Sequence, residues 1–120
     1  MSLLSTLRQT VERNQNNCDE TELDPETAYE MLKNRRRRRI LQYVAAQDDT
    51  PVSVSDIADD LARHHDEDRT AVYVAAIQSH LPKMSQEKLC SYDETLKVVE
   101  LTPRGLAVIE VHQAVRELLD

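Results

Sequence analysis

Hydrophobic residues recur at helical spacing along most of this chain. The clearest stripe follows the i, i+3, i+4, i+7 pattern of a helix that buries one face, and it consists of Val54, Ile57, Ala58 and Leu61. Similar spacing predicts a short helix over residues 2–16 and others that begin near Pro25, before Ile40, at Arg69 and after Thr102. The pattern is therefore mainly that of a helical protein.

Two short apolar runs break the helical pattern between the last two predicted helices. Residues 89–92 and 96–101 have the length of strands, and Asp93-Glu94-Thr95 joins them, so we predict a β-hairpin. Around the hairpin the predicted order is three helices, the hairpin and a last helix, which makes the fold mostly α with a small β-hairpin. This order is typical of the winged helix-turn-helix, whose third helix enters the major groove of DNA.

Capping residues support the predicted helix starts. Asp24-Pro25 combines a capping acid with proline at the first helical position, and Thr102-Pro103 repeats the arrangement. Ser53, with Asp56 three residues later, resembles a capping box. Pro82 lies inside the helix predicted over residues 69–87 and should kink it or loosen its hydrogen bonds.

We divide the chain into three parts on this basis. Residues 1–23 form an N-terminal helix and an acidic, Asn-rich linker. Residues 24–102 form the winged helix-turn-helix, and residues 103–120 form a C-terminal helix. A chain of 120 residues supports one core and not two.

The amino-acid composition indicates a salt-rich environment and excludes several fold and function classes. The chain has 22 acidic and 15 basic residues, a net charge of −7, and Arg outnumbers Lys by 11 to 4. Such acid excess suits a cytoplasm of very high salt, as in a halophilic archaeon, because carboxylates keep a surface hydrated while salt screens their repulsion. An acidic protein from an ordinary cytoplasm remains the alternative. One glycine argues against barrels and sandwiches and against a Gly-rich phosphate loop.

Other sequence signals indicate a cytoplasmic protein without a cofactor. The apolar runs fall well short of the roughly 20 residues that a membrane span needs, and the N-terminus has no basic leader before an apolar core. Cys18 and Cys90 lie far apart and suggest neither a disulfide framework nor a zinc site. We see no catalytic cluster, expect no enzyme and predict no metal site, although His64, His65 and His112 could in principle bind one.

The helix over residues 69–87 carries the main functional signal. A wheel at 100° per residue places on the presumed core face Thr70, Tyr73, Val74, Ile77, Leu81 and Met84. The opposite face carries Val72, Ala75, Ser79, Pro82, Lys83 and Gln86, flanked by Arg69, Ala76 and Gln78. That face has no acid before its last turn. Small neutral residues allow close approach to bases, and Ser, Gln and Val can contact base edges; burial against another protein is the alternative.

Five consecutive arginines, Arg35 to Arg39, form the densest charge in the chain. At a helix start they oppose the helix dipole, so a compensating partner is expected. Phosphate is one candidate, because Arg binds it bidentately. The flanking acidic residues are the other candidate. The methylene groups of some of these arginines can also pack on the core. We expect a split between structural and phosphate-facing arginines.

Both chain ends carry more apolar residues than one core needs. We predict that they form a homodimer interface, with Leu3, Leu7, Val108, Val111, Val115 and Leu118. The alternative is that both ends simply cover the core of their own chain.

Three segments carry a family resemblance: NRRRRRIL (34–41), PVSVSDIADDLA (51–62) and AAIQSHLPKMSQEKLCSYDETLKVVELTPRG (75–105). They resemble the winged-helix transcription regulators of halophilic archaea, in particular small domains with an Arg-rich first helix and a His-Leu-Pro-Lys stretch in the third. Residues 78–101 are also similar to the recognition helix and wing of arsenic-repressor-type regulators. Two departures are clear: Lys88 stands where that wing usually has glycine, and the metal-binding cysteine motif is absent.

The resemblance implies a sequence-specific, dimeric regulator that binds double-stranded DNA. The candidate DNA contacts are Arg35, Arg36, Arg38, Arg39, Arg69, Thr70, Val72, Gln78, Ser79, Lys83 and Lys97. The net charge keeps open a winged-helix protein-interaction module without DNA binding. A redox-responsive regulator that uses Cys18 or Cys90 is a weaker alternative.

Overall fold

The protein combines a set of helices with one small antiparallel sheet. The computed structural model describes residues 24–119. The elements in chain order are α1 Pro25–Lys33, α2 Arg35–Ala46, β1 Val52–Ser53, α3 Val54–His65, α4 Arg69–Ala75, a π-helical turn Ala76–His80, α5 Leu81–Gln86, β2 Cys90–Asp93, β3 Val98–Leu101 and α6 Pro103–Leu119. The predicted mostly-α fold with a small hairpin is confirmed. The predicted N-terminal helix, with Leu3 and Leu7, lies outside the described residues.

Side-chain caps fix the helix starts that the sequence indicates. Oδ2 of Asp24 accepts a hydrogen bond from the Thr27 backbone N–H at 3.3 Å. Oγ of Ser53 accepts from the Asp56 N–H at 3.1 Å, and Oγ1 of Thr102 accepts from the Gly105 N–H at 3.1 Å. Each cap satisfies one of the backbone donors that a helix start leaves without a partner.

The helix predicted over residues 69–87 is present but irregular. It runs continuously through α4, the π-helical turn and α5, and we call this segment, residues 69–86, the central helix. Pro82 has no backbone N–H, so it cannot close an ordinary helical turn. Just before it, the Leu81 N–H bonds to the carbonyl of Ala76, five residues back. The proline therefore loosens the helix as predicted, in the form of one inserted π turn.

The sheet has three strands, in the order β1-β3-β2. β2 and β3 form the predicted hairpin, with Cys90 opposite Leu101 and Asp93 opposite Val98. β1, which the sequence pattern does not predict, adds two residues to the other edge of β3 and pairs Val52 with Val99. The start of α3 is thereby tied to the hairpin.

The core lies between the sheet and the helices. α2 packs against α1, α3, α6 and β3 and so occupies the centre of the fold. Fully buried side chains from successive elements meet there; the largest include Ile40, Leu41, Ile57, Leu61, Leu81, Met84, Leu89, Val99 and Ile109. The central helix and the hairpin are held on this core as one unit.

Candidate nucleic-acid interface

The exposed face of the central helix is free of acidic residues. Its exposed side chains before Pro82 are Arg69, Thr70, Ala71, Val74, Gln78 and Ser79. The whole segment 69–86 contains no Asp or Glu, although the chain has 22. We call Thr70, Ala71, Val74, Gln78 and Ser79 the neutral face. It offers methyl groups, two hydroxyls and one amide to a binding partner.

The neutral face is rotated from the position that the helical wheel predicts. Val72 is 0% exposed, so the prediction that Val72 contacts DNA is wrong. Thr70 and Val74, which the wheel placed on the core face, are exposed instead. Thr70 is therefore accessible, as a DNA contact must be, and its predicted role stays a prediction.

The π turn is the physical reason for this rotation. A wheel assumes 3.6 residues per turn throughout, but the π turn at Ala76–His80 inserts one extra residue. Leu81 and Met84, after the insertion, are buried as predicted. Earlier in the segment the buried positions are Val72 and Ala76, each one residue before a position that the wheel placed on the core face. Pro82 within a helical pattern was the signal that could have revealed the shift.

Arg69 lies at the start of the neutral face but is held by α3. Its Nε donates to the Asp59 carboxylate, and its Nη2 donates to Oγ of Ser55 at 2.7 Å. The guanidinium carbon also lies 5.9 Å from the centre of the Tyr73 ring, a distance typical of a cation–π contact. These contacts fix α3 against α4 and occupy several of the Arg69 donors.

The five arginines divide into two groups by their partners. The first group, Arg37 and Arg38, caps the C-terminal end of α1. Nη2 of Arg37 donates to the Glu30 carbonyl at 2.8 Å, and its Nε donates to the Met31 carbonyl at 3.1 Å. Nη1 of Arg38 donates to the Leu32 carbonyl at 2.7 Å. These are the last carbonyls of α1, which have no partner within the helix and lie at the negative end of its dipole. The positive charges of Arg37 and Arg38 are therefore compensated within the protein, by the carbonyls at the end of α1.

The second group forms ion pairs with acids of α3 and of the turn that follows it. Arg39 binds Asp60 of α3 through two hydrogen bonds, of 2.7 and 2.9 Å. Arg35 and Arg36 both contact Glu67, which lies between α3 and α4. The hydrogen bond to Glu67 raises the pKa of Arg36 and, from the other side, lowers the pKa of Glu67. Both arginines therefore anchor the segment that leads into the central helix.

These contacts bear on the predicted phosphate role of the arginines. The guanidinium groups of Arg36, Arg38 and Arg39 bind protein acceptors, which engages some of the donors that a phosphate contact would use. The Arg35 side chain is still 58% exposed and remains a candidate. Glu67 and Asp60 lie 31 and 21 residues from Arg36 and Arg39, so the local pattern does not reveal these two pairs.

The two lysines among the predicted DNA contacts lie on different elements, Lys83 on the central helix and Lys97 in the hairpin. Lys83, one turn beyond the neutral face, has its Nζ 3.6 Å from Oε1 of Glu30. Lys97 lies in the hairpin turn with a φ of 55°, in the left-handed region. The tip beside it exposes Asp93, Glu94 and 69% of Leu96. The hairpin therefore offers one cation beside two acids.

His80 and Cys90 are buried rather than accessible. Burial, with help from the nearby charges of Arg37 and Arg36, lowers the pKa of His80 to about 4. Burial raises the pKa of the Cys90 thiol to about 12, which leaves it protonated and unreactive at neutral pH. Cys18 lies outside the described residues. Among residues 24–119 no group of three or more His, Cys, Asp or Glu side chains is arranged to hold a metal ion.

The apolar stripe of α6 passes from the core to the surface. Val108 is 5% exposed and packs in the core, so its assignment to a dimer interface is wrong. Val111 is half-buried. Val115 and Leu118 are 40% and 39% exposed, and Leu119 reaches 81%. The last two turns of α6 therefore present unpaired apolar surface.

Residues 29–100 match a protein family described as a domain of unknown function, DUF7344. The chain belongs to this family. The DUF7344 match begins inside α1 and ends in β3, so it contains the arginine run, the central helix and the hairpin but leaves out α6. No curated protein and no solved structure matches the chain. Within residues 24–119 no helix is both long and apolar enough to cross a membrane.

Proposed function

We propose that this DUF7344 protein is a winged helix-turn-helix regulator that binds double-stranded DNA as a homodimer. The neutral face of the central helix carries the proposal. A helix that met only water in so acidic a chain should carry carboxylates, whereas one that approaches DNA must avoid them, since a carboxylate repels phosphate.

The arrangement of elements supports this reading. α3 and α4 are separated by residues 66–68, and a three- to four-residue turn is usual between the two helices of a helix-turn-helix. In that motif the second helix enters the major groove, which here is the central helix. The hairpin follows it directly and takes the place of the wing.

Alanine substitution on the neutral face tests base reading. Gln78 and Ser79 are exposed, so Gln78→Ala or Ser79→Ala should weaken binding to a selected site by about tenfold and binding to random DNA much less. Gln113→Ala, on the exposed side of α6, is the matched control. Equal loss on selected and random DNA for Gln78→Ala would refute the base-reading role.

A second candidate function is a winged-helix protein-interaction module. The internal pairing of Arg36, Arg38 and Arg39 favours it, because it removes cations from the surface of a chain that already carries a net charge of −7. The neutral face would then pack against another protein. A folded protein that retains no DNA at any salt concentration would support this alternative.

A further inference from the structure

The neutral face carries the side chains that recognise A·T base pairs. Val74 and Ala71 expose methyl groups, and the Thr70 side chain adds another. Apolar groups of this kind contact the C5-methyl of thymine in the major groove, while a Gln amide such as that of Gln78 pairs with N6 and N7 of adenine. Four of the five neutral-face residues therefore suit one type of base pair.

The two cationic side chains beside this face, Arg69 and Lys83, each form an ion pair with an acid of the protein. Arg and Lys are the usual partners of guanine O6 and N7. Nε and Nη2 of Arg69 donate to Asp59 and Ser55, and Nζ of Lys83 lies 3.6 Å from Oε1 of Glu30. Cytosine is read by Asp or Glu, and residues 69–86 contain neither.

The spacing of the neutral face sets the length of the site. Thr70, Val74 and Gln78 follow one another at intervals of four residues. At about 1.5 Å per residue they span roughly 12 Å, which corresponds to three or four base pairs at about 3.4 Å each.

We infer that the central helix reads a core of three or four A·T pairs in each half-site through thymine methyl groups and one adenine edge. This inference rests on the proposed function, because it needs the central helix in the major groove. It also explains how a protein with a net charge of −7 could discriminate between sequences, since methyl contacts do not depend on counterion release.

Replacement of thymine by uracil tests the inference, because it removes the C5-methyl and leaves the base-pair hydrogen bonds intact. In the site selected from random duplexes, uracil at a contacted position should lower the affinity of the wild-type protein by about three- to tenfold. The same replacement should change the affinity of Val74→Ser much less, because serine carries no methyl group. With 7-deazaadenine, which lacks N7, the wild type should lose affinity while Gln78→Ala does not.

The possible outcomes separate a failure of the proposed function from a failure of the A·T inference. If the protein selects no DNA while its circular dichroism shows a folded chain, the proposed function itself fails. If it selects a G·C-rich core, or an A·T core whose affinity is unchanged by uracil at every position, the proposed function stands and this inference is refuted. Gln113→Ala should respond to both modified bases as the wild type does.

Discussion

Gly105 is the residue at which α6 crosses the loop after the central helix. A Cβ atom placed on Gly105 would stand 2.0 Å from the carbonyl oxygen of Leu89. Beside it, Oγ1 of Thr102 donates to the Lys88 carbonyl at 2.6 Å. The close approach of two backbones therefore requires the single glycine of the chain at this position.

Gly105→Ala should destabilise the fold although it lies inside a helix. In an ordinary helix interior this change raises stability by up to about 1 kcal/mol. Here the clash with backbone should lower the free energy of unfolding by about 2–3 kcal/mol. Urea unfolding followed by circular dichroism measures the difference. A raised midpoint would show that α6 does not pack on Leu89 in this way.

His80 makes stability depend on pH. Its pKa is lowered from 6.5 to about 4 by burial and by Arg37 and Arg36, with Lys83 adding to the effect and Glu67 opposing it. Between these values the unfolded chain binds more protons than the folded chain, so stability should fall as the pH falls from 6.5 toward 4. The loss should amount to about 2–3 kcal/mol.

Comparison with His80→Leu isolates this contribution. Other groups with shifted pKa values, such as His65, His112 and Glu67, are present in both proteins. Urea unfolding at several pH values should show a shallower decline for the variant than for the wild type. Parallel curves over this range would mean that His80 is not buried in its neutral form.

At the scale of elements, the end of the central helix is held in a conformation that favours glycine. Lys88 has a φ of 65°. Its N–H bonds to the Ser85 carbonyl at 2.9 Å, and the Leu89 N–H bonds to the Met84 carbonyl at 2.9 Å. These bonds form a Schellman motif with Lys88 at the position that usually holds glycine. The departure from the arsenic-repressor pattern noted at Lys88 thus has a conformational cost.

Lys88→Gly should therefore stabilise the protein by about 1 kcal/mol. Lys88→Ala removes the same charge without relieving the backbone and is the matched control. Thermal unfolding should show a raised midpoint for glycine only. If both variants had the same raised midpoint, the added stability would come from the loss of the lysine charge and not from relief of the backbone.

The link between α2 and α3 should support stability rather than DNA affinity. The Arg39 and Asp60 side chains are 25% and 10% exposed, so Arg39→Gln leaves a largely buried carboxylate with one partner fewer. We expect the free energy of unfolding to fall by about 1–3 kcal/mol. The slope of log affinity against log salt should not change. A slope reduced by about one would instead place Arg39 on phosphate.

Element boundaries were accessible from sequence because they depend on local chemistry. Asp24, Ser53 and Thr102 cap the helices that the sequence predicts at those points. A regular helical wheel gives the wrong orientation for the central helix, because the π turn that accompanies Pro82 shifts its phase by one residue. β1 was missed because two residues carry no alternation. The partners of the arginines were missed because pairs such as Arg39 and Asp60 form only in the folded chain.

At the scale of the whole molecule, α6 extends beyond the core and beyond the family match. Its apolar stripe continues past Val108 to Val115 and Leu118, which are exposed. A stripe that leaves the core at a helix end is suited to pair with the same stripe of a second copy. The proposed homodimer would be built on these turns.

Charges placed on this stripe should separate the subunits. We expect the wild type to have twice the chain mass of 13.8 kDa by light scattering, and the double variant Val115→Glu with Leu118→Glu to have that mass once. Gln113→Glu, on an exposed position of the same helix, should remain dimeric. A wild-type monomer at micromolar concentration would contradict the dimer.

The most direct test of the account is selection from a pool of genomic DNA fragments at high KCl, followed by sequencing of the retained DNA. A dimeric winged helix should enrich a palindrome whose half-sites lie about one helical turn apart. Enrichment of such a site would establish sequence-specific binding and identify the targets. No enrichment at any salt concentration, with the protein folded and dimeric, would contradict the account and favour the protein-interaction module.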